Sequence, residues 1–141
     1  MPATSHLLTL VALVALTVPA VAQTVNLRPG KYEVTAEMHG ATMPMIAPQK
    51  DSQCITAEDL KDLSKAMMKG EEAENCKVSD YKVSGNKVTF NTTCVEDGER
   101  YTMSSEMTFA GDSYTGLMKS NHPEFAMTIK TTAKRVGDCV Q

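Results

Sequence analysis

The sequence predicts a mainly β (α+β) protein: an antiparallel, strongly curved sheet or partly closed barrel of six to seven strands, with one amphipathic helix and two disulfides. Three observations carry that expectation. Segments that alternate apolar and polar residues recur along the chain, each bounded by a turn signal. A single stretch, residues 57–69, repeats its apolar residues at helical spacing instead. Four cysteines, Cys54, Cys76, Cys94 and Cys139, follow a leader of the export type, and in that setting they most simply form two bridges.

The leader is residues 1–22. Leu7 to Val18 is an apolar run of signal-peptide length, too short to span a bilayer, and Ala20-Val21-Ala22 offers the small residues that signal peptidase requires. Cleavage after Ala22 leaves residues 23–141 as a single disulfide-stabilised domain in the periplasm or outside the cell. No later run is apolar enough to cross a membrane, so an integral membrane protein is not expected once the leader is gone.

Leu27-Arg28-Pro29-Gly30 reads as a turn that opens the first strand. Tyr32, Val34, Ala36 and Met38 then alternate with Lys31, Glu33, Thr35 and Glu37, which buries one face and leaves the other wet, and His39-Gly40 ends the strand. Residues 41–48 contain Pro44 and Pro48 and read as a loop, after which Gln49 to Cys54 returns as a polar strand. Thr56 is placed to cap the helix over residues 57–69. Asp59 stands at the capping-box position, Ile55 and Leu60 form a staple, Leu60, Leu63 and Met67 share a face, and Gly70 follows as a C′ residue. Glu71, Glu72 and Glu74 make a solvated connection.

Residues 76–94 form a hairpin with a cysteine at each foot. A two-residue loop at Gly85-Asn86 sets Val83 against Val88 and Tyr81 against Phe90. Carried to the feet, that register opposes Lys77, not Cys76, to Cys94; one extra residue near Ser79-Asp80, a β-bulge, brings Cys76 opposite Cys94. The favoured pairing is therefore Cys76 with Cys94 and Cys54 with Cys139. Cys54 with Cys76 and Cys94 with Cys139 is the alternative, and a zinc site of four thiolates is disfavoured by irregular spacing. Further on, residues 95–99 turn the chain and Tyr101, Met103, Ser105, Met107 and Phe109 line a strand. With Gly111-Asp112 as the next loop, Phe109 faces Tyr114, Met107 faces Gly116 and Ser105 faces Met118. A turn at residues 121–124 leads to a last strand lined by Phe125, Met127, Ile129, Thr131 and Ala133.

At these positions the chain resembles the exported bacterial proteins grouped as domain of unknown function 3617. The resemblance rests on Leu27 to Glu33, Met43-Pro44-Met45, Gln53-Cys54, Cys76-Lys77-Val78, Val83 to Asn86, Gly111 to Tyr114 and Gly137-Asp138-Cys139, with Tyr32 where the family often has tryptophan. It implies export and a cysteine framework, and it implies no activity.

Composition removes some function classes. With 14 Lys+Arg, 17 Asp+Glu and a net charge of −3, the chain has no basic tract for nucleic acid or anionic lipid. There is no CxxC redox pair. His39 and His122 lie beside turns without a metal-ligand spacing or a nucleophile partner, and no pair of carboxylates stands out, so an enzyme is not expected and no cofactor is implied. What remains is a non-catalytic small-ligand-binding or envelope-associated module. The curved sheet would hold a small apolar ligand among Met103, Met107, Phe109, Met118, Phe125 and Met127. The alternative is a copper or soft-metal binding protein using Met38, His39, Met43 and Met45, since thioethers select Cu(I).

Overall fold

The computed structural model describes residues 25–40, 44, 46–67, 74–122, 124 and 126–140. The expected leader and its cleavage site lie outside the described residues. Seven strands form one antiparallel sheet: β1 (Gly30–Gly40), β2 (Gln49–Ile55), β3 (Cys76–Ser84), β4 (Lys87–Glu96), β5 (Glu99–Phe109), β6 (Ser113–Asn121) and β7 (Ala126–Gly137). Their spatial order is β2-β1-β7-β6-β5-β4-β3. The sheet curls without closing, because β2 and β3 remain its two edges; of the two expected forms, the curved open sheet is the one realised.

Apart from β2, which is polar and exposed at every residue but Ile55, the strands exist where the period-two pattern puts them. In β5 the burial alternates through Ser105, Met107 and Phe109, while Ser104, Glu106 and Thr108 face water. Both predicted hairpin registers are present. Val83 opposes Val88 and Cys76 opposes Cys94, with the register shift between Ser79 and Lys82, where Asp80 and Tyr81 together oppose Phe90 and Asp80 takes φ 54°. Tyr81 and Phe90 stack with ring centroids 6.3 Å apart. Across β5 and β6, Phe109 faces Tyr114, Met107 faces Gly116 and Ser105 faces Met118.

The disulfides are Cys76 with Cys94 and Cys54 with Cys139, with Cα separations of 4.1 and 5.6 Å. The first closes the β3–β4 hairpin. The second ties edge strand β2 to the tail after β7, past the start of β1.

The helix departs from its expected form. In place of one run over residues 57–69 there is a 3-10 turn at Asp59–Lys61 and a short helix α1 at Leu63–Met67; the Met67 side chain and residues 68–70 lie outside the described residues. The capping box does form: the Thr56 backbone N–H donates to Asp59 Oδ2 at 2.9 Å and the Asp59 N–H to Thr56 Oγ1 at 3.2 Å. Asp62 then interrupts. Its backbone leaves the helical region (φ −143°, ψ 82°), and its Oδ1 accepts from Ser64 Oγ at 2.7 Å and from the Lys65 N–H at 3.1 Å, which starts a new helix. Short Asp side chains compete for backbone donors in this way, and those bonds hold the Asp62 carboxyl below its usual range.

Because β2 and β3 are opposite edges, the chain between them passes from one side of the sheet to the other, and its helical part lies on the buried face. Leu63 joins Tyr32, Val88, Phe90, Phe109 and Tyr114 in the core, with Leu60 packed against it. Tyr32 and Phe109, 0 % and 1 % exposed, anchor this layer; burying an aromatic ring of this size contributes on the order of 2–3 kcal/mol. The N-terminal turn docks on the β5–β6 loop through paired backbone bonds, Arg28 N–H to Gly111 O at 2.9 Å and Gly111 N–H to Asn26 O at 2.8 Å. Gly30 has to be glycine. At φ 153° an added Cβ would lie 2.4 Å from Arg135 Nε, which is held in place by donating to Pro29 O at 2.8 Å, and 2.6 Å from Gly137 O.

Among the described residues the outer face carries no apolar stripe. Thr35, Thr132, Thr115 and Thr108 form one cross-strand row, and Glu37 beside Lys130 belongs to the next.

Candidate functional site

Between the helical segment and the inner face of the sheet lies a cavity of about 430 Å³. Leu63 and Ala66 of α1, with Asp59 of the 3-10 turn, form its roof. Val34 of β1 and Gln53, Cys54 and Ile55 of β2 form one wall. The floor is Ser105, Met107 and Phe109 of β5, Tyr114, Gly116 and Met118 of β6, and Thr131 of β7. The floor follows directly from the β5–β6 register, which sets three successive inward pairs side by side.

Two polar features are built into this largely apolar space. The Tyr114 hydroxyl donates to Gln53 Oε1 at 3.0 Å, and its ring stacks between Tyr32 and Phe109 at centroid distances of 5.8 and 5.9 Å. Burial pushes the Tyr114 hydroxyl up to about 12, with the neighbouring Tyr32 adding to the shift. Ser105 is the second feature: 6 % exposed, it has no hydrogen-bond partner for its Oγ among the described residues.

Of the residues proposed to line a ligand site, Met107, Phe109 and Met118 border the cavity. Met103 lies one inward pair further along β5, opposite Thr92 and Ser120, outside it. Met127 borders a separate shallow depression with His39 and Gly40, and Phe125 lies outside the described residues. Tyr114, Gly116, Ser105 and the α1 residues were not singled out in advance. A signal for Gly116 was present in the register, which put a glycine opposite Met107 in the middle of a strand; for Leu63 and Ala66 the sequence gives no indication of which sheet face they cover.

The residues of the soft-metal alternative are placed as follows. Met38 and His39 are successive residues of β1 and so point to opposite faces, Met38 half-buried and His39 exposed with Nε2 3.8 Å from Glu37 Oε2. Met43 and Met45 lie outside the described residues. Among the described residues no group of three or more His, Cys, Asp and Glu side chains is arranged to hold a metal ion, and no helix is long and apolar enough to cross a membrane. His122 meets the Tyr101 ring edge-on at 4.8 Å, and its Nδ1 accepts from the Glu124 N–H at 3.2 Å.

Fold and cavity together define a class: a small, disulfide-clasped, open β-sheet protein with an apolar chamber under a helical strap. The chain belongs to the family described as "Protein of unknown function (DUF3617)", whose model matches residues 27–139. No curated protein and no solved structure matches it.

Proposed function

We propose that this is an exported, non-catalytic binding module that holds a small apolar ligand between its helical strap and the inner face of the sheet. The cavity carries the proposal: about 430 Å³ is within the range of about 300–1,000 Å³ that small-molecule sites occupy, and apolar side chains with a few polar groups are the usual lining of such sites. Export is supported by the leader and by two disulfides, which persist in oxidising compartments. Native mass spectrometry of the protein purified from its own cell envelope tests both parts. The expected spectrum shows a chain beginning at Gln23 with both disulfides and a small organic adduct that is lost on activation. A mass beginning at Met1 argues against export, and bare chain alone from disulfide-intact protein argues against a resident ligand.

A further inference from the structure

Two residues of the cavity floor serve no evident purpose in the scaffold. Gly116, in the middle of β6, lies between Met107 of β5 and Thr131 of β7. Glycine weakens a strand, and neither its backbone nor its surroundings demand it: its φ is outside the left-handed region, and an added Cβ would meet Thr131 Cβ at 3.5 Å and Met107 Cγ at 3.8 Å, ordinary contacts. What a larger side chain there removes is cavity. Neither pairing shifts register at Gly116, so it marks no bulge, and a strand glycine otherwise serves a bend or the close approach of another molecule to the backbone. Ser105 is the polar interruption in an otherwise apolar row ending Met103, Ser105, Met107, Phe109, and its buried hydroxyl is unpaired among the described residues. An unpaired buried hydroxyl is destabilising, so a partner supplied from the cavity side accounts for it.

The charges bordering the cavity narrow the chemistry. Asp59 is engaged with Thr56, and Glu106 pairs with Lys87 at 3.0 Å. No Lys, Arg or His borders the cavity among the described residues. An anionic ligand would therefore be desolvated with no cation to meet it.

We propose that the cavity takes an uncharged, mostly apolar molecule with one hydrogen-bonding group, its body lying over Gly116 and its polar atom on Ser105 Oγ. This rests on the binding function proposed above and names the ligand's chemistry. The volume of about 430 Å³ has room for on the order of 14 water-sized groups, which suits a medium-chain alcohol or ketone better than a two-chain lipid. The Ser105 hydroxyl is closed to water as it stands, so the ligand reaches it by displacing a side chain. Met118, directly across from it, and Met107 are flexible thioether chains able to move.

The test uses the whole chain and two fluorescent probes sharing one aromatic body, neutral N-phenylnaphthylamine and the anionic anilinonaphthalene sulfonate, with decanol, decanoate and chlorodecane as competitors. The neutral probe is expected to bind about tenfold more tightly than the sulfonate, and decanol to displace it where decanoate does not. Gly116→Leu is expected to lower neutral-probe affinity about thirtyfold while leaving the melting temperature unchanged or higher. Should leucine not fold, Gly116→Ala is expected to weaken binding about threefold. Wild-type protein should prefer decanol to chlorodecane by about fivefold, and Ser105→Ala should erase that preference. Equal affinity for the two probes, or displacement by decanoate as readily as by decanol, overturns the uncharged-ligand proposal and leaves the binding function standing. Full binding by a folded Gly116→Leu protein overturns the assignment of the floor. If neither probe nor any competitor binds the wild-type chain, the binding function itself fails.

Discussion

Tyr114 is the residue at which the core and the cavity meet. Its hydroxyl loses a proton only at about 12, against an ordinary value of 10.0, so in this interval the native state keeps a proton that the unfolded state has already lost. Stability therefore falls as pH rises from about 10 to about 12, and is flat in this respect below that window. Urea midpoints measured across it should decline for the wild type and decline less for Tyr114→Phe. That variant also loses the bond to Gln53, so its midpoint at neutral pH should be lower by about 1 kcal/mol of stability. The remaining slope belongs to Tyr32, whose hydroxyl is also raised, first by burial and then by the Asp112 carboxylate, and to Tyr81, raised by burial and then by the Asp62 carboxylate. A midpoint independent of pH from 10 to 12 would show that Tyr114 titrates normally.

Among the elements, β3 shows how an edge strand is kept from pairing with strangers. The bulge at Asp80 and Tyr81 kinks it, Lys77 and Lys82 charge it, and the Asp80 carboxylate accepts from Asn91 Nδ2 at 2.9 Å to hold the kink. Deleting Asp80 removes the extra residue and leaves a regular ladder in which Cys76 still opposes Cys94. Peptide mapping without reduction should recover the same Cys76–Cys94 bridge, while light scattering should show new self-association through a straightened edge. Loss of the bridge would mean that the bulge, and not the turn, sets the register. This hairpin was legible from sequence because two independent marks bound it, a turn at Gly85-Asn86 and a cysteine at each end, so any parity error had to be absorbed between them. The helix is shorter than its apolar spacing predicts because that spacing runs straight through Asp62, and periodicity does not register a carboxylate that recaps the chain.

For the whole molecule, the period-two pattern told which strand residues face inward but not what covers them, which is why Met103 and Met107 looked equivalent. Only the passage from edge β2 to edge β3 distinguishes them, by laying α1 over the Met107 end. The two disulfides act at this largest scale very differently. Cys54–Cys139 spans a sequence separation of 85 and Cys76–Cys94 one of 18, so on loop-closure grounds they contribute about 4.5 and about 3 kcal/mol respectively. The double serine variant of Cys54 and Cys139 should unfold at lower urea than that of Cys76 and Cys94; the reverse order would mean that native contacts at the hairpin outweigh chain entropy. The same topology sets a timetable for folding. β1 gains its second neighbour only when β7 arrives, as in the Arg135 to Pro29 contact across 106 residues. A chain emerging from its N-terminus can zip β3 through β6 in succession, each strand beside the one just made, while β1 waits with one side unpaired. Nonlocal closure of this kind is slow, and the exposed edge of β1 is the place where a partly emerged chain is open to mispairing or in need of a chaperone.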